Sequence, residues 1–400
     1  MKLLTVRRIL AASAMVACGL FSATAGAQTI KIGVIAPLTG GGAPWGNAAA
    51  EATRLAAADV NEKGGLTVGN KKYKVEVIAY DDQYKASESV AAYSRLINQD
   101  GTKFIMGLTT PATIALAPRV EADKVIFVTV AGAEKAVDPN SKNMFRMISL
   151  LRDYVPPMVG WIKSNYKERR VFVINPNDDA GWASTELAKG AYQKHGFEII
   201  GSELFERSQK DFQPLLTKVI ALKPEIIELA STSPATAGMI VRQARDLGYK
   251  GLFVKNSGAA VADIVAAAGN AGAEGVISLH FADPNTEGYK RLAVQFKKEF
   301  KQNPDDLIVV FYDATNTLLQ AIQKSGDVTD TAKVSDAMFN KVFPMKSIQG
   351  GELTLGGKGR PGDPNQMMTV SYLSVIKNGV PVIDDAEVAP GAPHPMMPVS

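Results

Sequence analysis

From residue 28 onward, short apolar runs alternate with segments whose apolar positions recur every three or four residues. Runs at 30–35, 73–79, 103–108 and 125–130 predict strands, and helical periodicity at 47–62, 86–99 and 111–123 lies between them. In the first helix Ala48, Ala52, Leu55, Ala56 and Val60 share one face, and Gly64-Gly65 ends it. The alternation then starts again. Strands are predicted at 170–175, 197–203, 225–230, 251–255 and 274–280, with helices at 181–194, 211–222, 235–247 and 259–268. Two long helical patterns follow at 286–302 and 306–324, and short strands return around 351–355 and 368–376. Pro361, Pro364 and the proline-rich end from Pro390 read as loop. Alternation of this kind predicts parallel strands with helices on both faces of each sheet. It occurs twice without a repeated sequence, and 400 residues exceed one ordinary core. Two α/β lobes are therefore expected, with a ligand cleft between them at the carboxyl ends of the strands.

The first 27 residues do not fit this alternation. Lys2, Arg7 and Arg8 form a basic start, residues 9–21 are mostly apolar, and Ala25-Gly26-Ala27 is a small-x-small cleavage site. The segment reads as an export signal, with the mature chain beginning at Gln28 in the periplasm. Val16-Ala17-Cys18 resembles a lipoprotein cleavage site, but Met15 fits that pattern poorly and the later site lies just ahead of the first strand. Cys18 is the only cysteine, so cleavage before Gln28 leaves no thiol for an oxidising compartment to act on. Loss of three basic residues takes the net charge from +4 to +1. Neither that balance nor any basic patch suits nucleic acid. No apolar run reaches the roughly 18 residues of a membrane span.

Known catalytic and cofactor patterns are mostly missing. The loop "APLTGGGAPWGNAA" at 36–49 joins a strand to a helix, as in nucleotide-binding folds. Gly40 and Gly42 fit G-x-G-x-x-G, but the third position is Trp45, and no P-loop pattern occurs. His195, His280 and His394 show no metal-ligand spacing, and no cofactor is expected. A Ser-His-Asp triad finds no G-x-S-x-G elbow to support it. Asp81-Asp82 and Asp178-Asp179 read either as acid–base pairs or as capping residues at strand ends.

What remains is binding chemistry. Thr109-Thr110-Pro111-Ala112-Thr113 follows the strand at 103–108. Thr110 suits the N-cap and Pro111 the first helical position. The N–H groups of Ala112 and Thr113, with the threonine hydroxyls, then either hold an anion such as a carboxylate or serve as a plain helix cap. Val130-Ala131-Gly132-Ala133 ends the next strand, and its small residues let backbone approach the same ligand.

Several segments carry a resemblance in order and spacing: "IKIGVIAPLTGGGAPWGN", "AAADVNEKGG", "VIAYDDQYKASESVAAYSRLI", "FRMISLLRDYVPPMVGWI", "KDFQPLLTKV", "GMIVRQARDLGYKG" and "FYDATNTLLQAI". The chain resembles the leucine/isoleucine/valine-binding family of periplasmic solute-binding proteins, which serve ABC transporters. The resemblance implies the α/β type I periplasmic binding protein fold. That fold has two Rossmann-like lobes joined by three crossovers, placed near Leu151, Phe281 and Gly357. Residues 28–150 plus 282–357 form the N-terminal lobe, and 151–281 plus 358–400 the C-terminal lobe. It implies a monomer that closes on a small ligand and docks on the transporter's permease, with no catalytic residues.

The resemblance also implies the site. Trp45 presents an aromatic side chain from the glycine-rich loop, so that loop covers an organic ligand and binds no phosphate. Thr110, with Ala112 or Thr113, and the turn Ala131, Gly132 and Ala133 hold the ligand carboxylate, with Thr109 beside them. Tyr312 is the aromatic on the late helix. Leu151 and Tyr154 lie near the first crossover, and Ala180, Ser233 and Ser257 come from the second lobe. The departures matter. The family's ammonium-pairing carboxylate is Ser257 here, and a second acidic position is Leu151. A tyrosine common in "NPNDDAGW" is Ala180, with Trp182 close by. The family disulfide has lost both ends, to Tyr84 and about Thr110. A buried ammonium without an opposite charge costs several kcal/mol. The expected ligand is therefore a carboxylate, aromatic or a keto acid. A branched-chain amino acid is the alternative, with Asp178 or Asp179 taking its ammonium. A soluble ligand sensor, or a hydrolase using an Asp pair, would put the same cleft to a different use.

Overall fold

The computed structural model describes residues 28–383 apart from 259, 302–303, 305, 358–361 and 369–370. The export segment, Cys18, the loop prolines 361 and 390, and His394 lie outside the described residues.

One sheet contains β1 (Gln28–Ala36), β2 (Leu66–Val68), β3 (Lys71–Asp81), β4 (Phe104–Gly107), β5 (Ile126–Thr129) and β6 (Met144–Arg146). Their order is β2-β3-β1-β4-β5-β6, and every neighbouring pair is parallel except β2 with β3. β4 and β5 are buried at every residue, as parallel strands covered on both faces must be.

A second sheet begins with β7 (Arg170–Pro176), β8 (Glu198–Phe205), β9 (Ile226–Glu228), β10 (Leu252–Lys255) and β11 (Ile277–His280). A small sheet of β12 (Met345–Lys346), β13 (Glu352–Leu355) and β14 (Met367–Met368) follows in the chain. The chain then returns to the second sheet as β15 (Tyr372–Lys377) and β16 (Val380–Ile383). The order there is β16-β15-β11-β10-β9-β7-β8, with β15 and β16 antiparallel and the rest parallel.

Both sheets reverse direction at one point. From β1 the chain moves to β3 on one side and later to β4 on the other. From β7 it moves to β8 and then to β9 on the opposite side. A crevice opens outside the carboxyl ends of the strands at each such switch. The two switches are built alike. The helix Ala43–Glu62 brings Gly46 so close to the loop after β1 that a Cβ there would lie 2.0 Å from the Pro37 carbonyl oxygen. The helix Asp179–Lys194 brings Gly181 to the end of β7, where a Cβ would lie 1.8 Å from the Pro176 oxygen. Neither position tolerates a side chain.

The late helices leave the second sheet. Leu307–Ser325 packs on the alanine face of Ala43–Glu62, with Thr315 Oγ1 donating to Thr53 Oγ1 at 3.3 Å. Thr331–Ala337 follows it onto the first lobe, where the Thr331 hydroxyl donates to the Lys124 carbonyl at 2.7 Å. The chain thus passes between the lobes three times, after β6, after β11 and before β15.

Two differences from the sequence reading have clear causes. A helix spans Leu151–Asn165 although Pro156 and Pro157 sit inside it. Their missing N–H groups hide the segment from a helical reading. Asp153 accepts from the Leu150 N–H at 2.8 Å and secures its start. The helix at 110–123 also begins one residue earlier than expected. Thr109, not Thr110, is the N-cap, and Pro111 is the second helical residue.

Candidate functional site

The loops after β1, β3, β4 and β5 meet those after β7, β9 and β10 around a cavity of about 90 Å³. Its walls include Trp45, Leu108, Val130, Ile148, Leu151, Tyr154, Phe281 and Leu307 on the apolar side, with Thr110, Ser184, Ser231 and Ser257 among the polar groups. Among the described lining residues, no side chain is acidic or basic.

Nine of the expected site residues line this cavity: Trp45, Thr110, Ala131, Gly132, Ala133, Leu151, Tyr154, Ala180 and Ser257. Trp45 bridges the lobes, its indole N–H donating to the Gly258 carbonyl at 3.3 Å. Tyr154 meets Phe281 edge to face, with centroids 5.9 Å apart. Burial pushes the Tyr154 hydroxyl far above its ordinary value, so it stays a neutral donor. Ala180 accepts from the Ser231 hydroxyl at 2.9 Å.

The turn at Ala131–Ala133 is wired from behind by Arg146, which the sequence reading did not single out. Arg146 is 1% exposed. Its Nε donates to the Ala131 carbonyl and its Nη2 to the Ala133 carbonyl, both at 2.9 Å. The Gly132 carbonyl accepts from the Leu151 N–H at 3.4 Å, and the Ala131 N–H donates to Thr129 Oγ1 at 3.1 Å. Among the described residues, the Gly132 and Ala133 N–H groups are then the turn's remaining donors. Burial lowers the Arg146 guanidinium to about 10, which leaves it charged at neutral pH.

The other five residues stand elsewhere. Thr109 Oγ1 accepts from the Ala112 N–H at 3.2 Å, and the Thr113 N–H donates to the Thr109 carbonyl at 3.0 Å. The helix start therefore keeps those two donors for itself, and Thr110 alone of the loop faces the cavity. The Thr113 hydroxyl donates to the Thr109 carbonyl and lies 2.8 Å from Thr129 Oγ1, tying the helix to the turn. Ser233 is the N-cap of Pro234–Asp246 and accepts from Arg207 at 3.3 Å. Tyr312 turns away to Asp59 on the helix Ala43–Glu62, and Phe281 and Leu307 line the cavity instead.

The acidic pairs are committed to structure. Asp81 accepts from the Leu38 and Gln83 N–H groups, both at 2.8 Å, and holds the glycine-rich loop. Asp82 is buried and accepts from the Tyr84 N–H at 2.8 Å and the Ser89 hydroxyl at 3.1 Å. Asp178 accepts from the Gly181 N–H at 3.0 Å and pairs with Arg207, while Asp179 meets Lys135 of the other lobe at 2.6 Å. His280 is buried against the Ser374 hydroxyl at 2.7 Å. No group of three potential metal-binding side chains occurs among the described residues.

A model of the family described as periplasmic binding protein matches residues 29–379. The chain belongs to that family. This periplasmic binding protein is 26% identical over 334 residues to the leucine-, isoleucine-, valine-, threonine-, and alanine-binding protein of Pseudomonas aeruginosa, spanning 83% of this chain and 87% of that one. Its fold matches a leucine binding protein from Thermotoga maritima with a TM-score of 0.77 at 22% identity, covering 90% of this chain and 99% of that one. It also matches an ABC-transporter solute binding protein from R. palustris in complex with benzoate, with a TM-score of 0.77 at 17% identity over 92% and 99% of the two chains. The fold of this periplasmic binding protein is therefore the type I arrangement of two Rossmann-like lobes.

Proposed function

We propose that this chain is the extracytoplasmic solute-binding component of an ABC transporter, and that its solute is a small organic acid without an ammonium group, aromatic or keto. Residues 28–150 plus 282–357 form the lobe that first receives the acid. Residues 151–281 plus 358–400 close over it, and the closed monomer delivers it unaltered to the permease. Removal of residues 1–27 leaves this form in the periplasm.

One observation carries the reading: a cavity with amide and hydroxyl donors whose described lining has no carboxylate. A ligand ammonium there would be desolvated without an opposite charge. A ligand carboxylate would meet Thr110 and the open N–H groups of Gly132 and Ala133, at roughly 1.5–3 kcal/mol per charge-assisted bond. The benzoate held by the R. palustris relative is an acid of this kind. The second reading, a branched-chain amino acid, is favoured by the ligands in the name of the Pseudomonas relative. Thermal-shift measurements on the mature chain with leucine, isoleucine, valine, ketoisocaproate and benzoate separate the two. Stabilisation by an acid and not by the amino acids is expected. Stabilisation by leucine alone would sink the first reading, and turnover of any compound would sink both.

A further inference from the structure

Lys255, the last residue of β10, is fully buried just behind the cavity wall. Its Nζ donates to the Ala230 carbonyl at 3.1 Å and to the Ser257 carbonyl, and lies 3.4 Å from Ser257 Oγ. It also lies 5.0 Å from the ring centroid of Trp45. Trp45 and Ser257 line the cavity, whereas Lys255 does not. The Ser257 hydroxyl is spent on the same cluster, donating to the Ala230 carbonyl at 2.6 Å. Two main-chain carbonyls, a hydroxyl and an aromatic face are the surroundings that a ligand ammonium needs. Here a side chain of the protein already fills them.

We propose that Lys255 is a specificity-determining residue: from behind the Ser257 wall its amino group takes the main-chain acceptors of Ala230 and Ser257, so the site admits carboxylates and rejects α-amino acids. This rests on the reading of the cleft as a solute site. The Ala230 and Ser257 acceptors are taken, so an incoming ammonium loses its water without finding partners. The Lys255 amino group is itself coupled electrostatically to the buried Glu228 carboxyl, so the discrimination rests on those spent acceptors.

The test is isothermal titration calorimetry on the mature chain with two matched pairs, phenylalanine with hydrocinnamate and leucine with isocaproate, and with benzoate. Wild type, Lys255→Met and Lys255→Gln are compared, with circular dichroism as the folding check. Wild type is expected to bind the amine-free member at least roughly tenfold more tightly in each pair that binds. Lys255→Met and Lys255→Gln are expected to narrow that ratio by roughly tenfold, with the amino acid gaining. An amino acid bound by wild type as tightly as its amine-free partner overturns the proposal, and this holds even if neither variant folds. A ratio unchanged in a folded variant overturns it as well. No binding of any of the five compounds overturns the solute-site reading, and this inference falls with it.

Discussion

The guanidinium of Arg207 lies 3.5 Å from the centroid of the Tyr84 ring. Tyr84 follows β3 in the first sheet and Arg207 follows β8 in the second, so the contact spans the cleft. Asp178 holds the guanidinium in place, and Lys135 with Asp179 makes a second crossing nearby. Arg207→Ala should leave the lobes folded but loosen the closed form. A cation–π contact in such a partly desolvated place is worth about 1–2 kcal/mol, a factor of roughly 5–30. Stopped-flow measurement should show faster ligand release by that factor, with Arg207→Lys intermediate. An unchanged release rate would remove Arg207 from closure.

Arg146 should matter through the turn it supports. In Arg146→Met the carbonyls of Ala131 and Ala133 lose their charged donor, and Asp363, 3.8 Å from Nη1, loses its buried partner. Asp363 keeps Arg152 at 2.9 Å, so the cost is that of the lost charge-assisted hydrogen bonds, roughly 1.5–3 kcal/mol each. Urea unfolding should record that loss, and calorimetry should record weakened binding of a carboxylate ligand. Full affinity in a destabilised variant would mean that the turn does not hold the ligand.

Thr110 and Thr113 differ by one helical turn and should behave differently. Thr110 faces the cavity, so Thr110→Val should weaken a carboxylate ligand by roughly tenfold with little change in Tm. Thr113→Val removes the bonds to the Thr109 carbonyl and Thr129, so it should lower Tm first. A reversed pattern would return the helix start to the register expected from sequence.

Three buried carboxyls contribute to the pH dependence of stability, and His280, whose value burial lowers, opposes them in the acid part of the range. Burial is the main cause in each, and it pushes Glu228 up to about 8, Asp313 to about 7 and Asp82 to about 6. The unfolded chain releases these protons near pH 4, whereas the folded chain keeps them. The unfolded state therefore binds fewer protons between about pH 4 and 8, and stability falls as pH rises through that window. The contribution is fully present below about pH 4 and gone above about pH 8. Thermal melts across this range should show the decline, and Glu228→Gln should flatten its upper part. A Tm that rises from pH 5 to 8 in both proteins would contradict the assignment.

Much of the fold was legible because its signals are local. The buried run of β1 and the caps that start the helices at Thr110 and Asp179 depend on residues a few positions apart. Where a local rule was ambiguous, the reading slipped. Thr109 and Thr110 are both good caps, and only the hydrogen bond from the Ala112 N–H selects Thr109. Pro156-Pro157 concealed a helix that packing on its neighbour sustains. Arg146 and Arg207 were missed because one arginine in a strand and one in a loop look the same as many others.

By itself, the order of apolar runs, glycine turns and helical stretches determined two doubly wound α/β lobes with a cleft at their switch points. Period and capping are short-range properties, so they are readable along the chain. Only the tertiary structure decided which polar groups remain open to a ligand. Trp45 finds Gly258, Tyr312 finds Asp59, and Lys255 fills the acceptors at Ala230 and Ser257. A hydrogen-bond donor is available or spent according to a partner that the fold brings near, and sequence spacing does not record that partner.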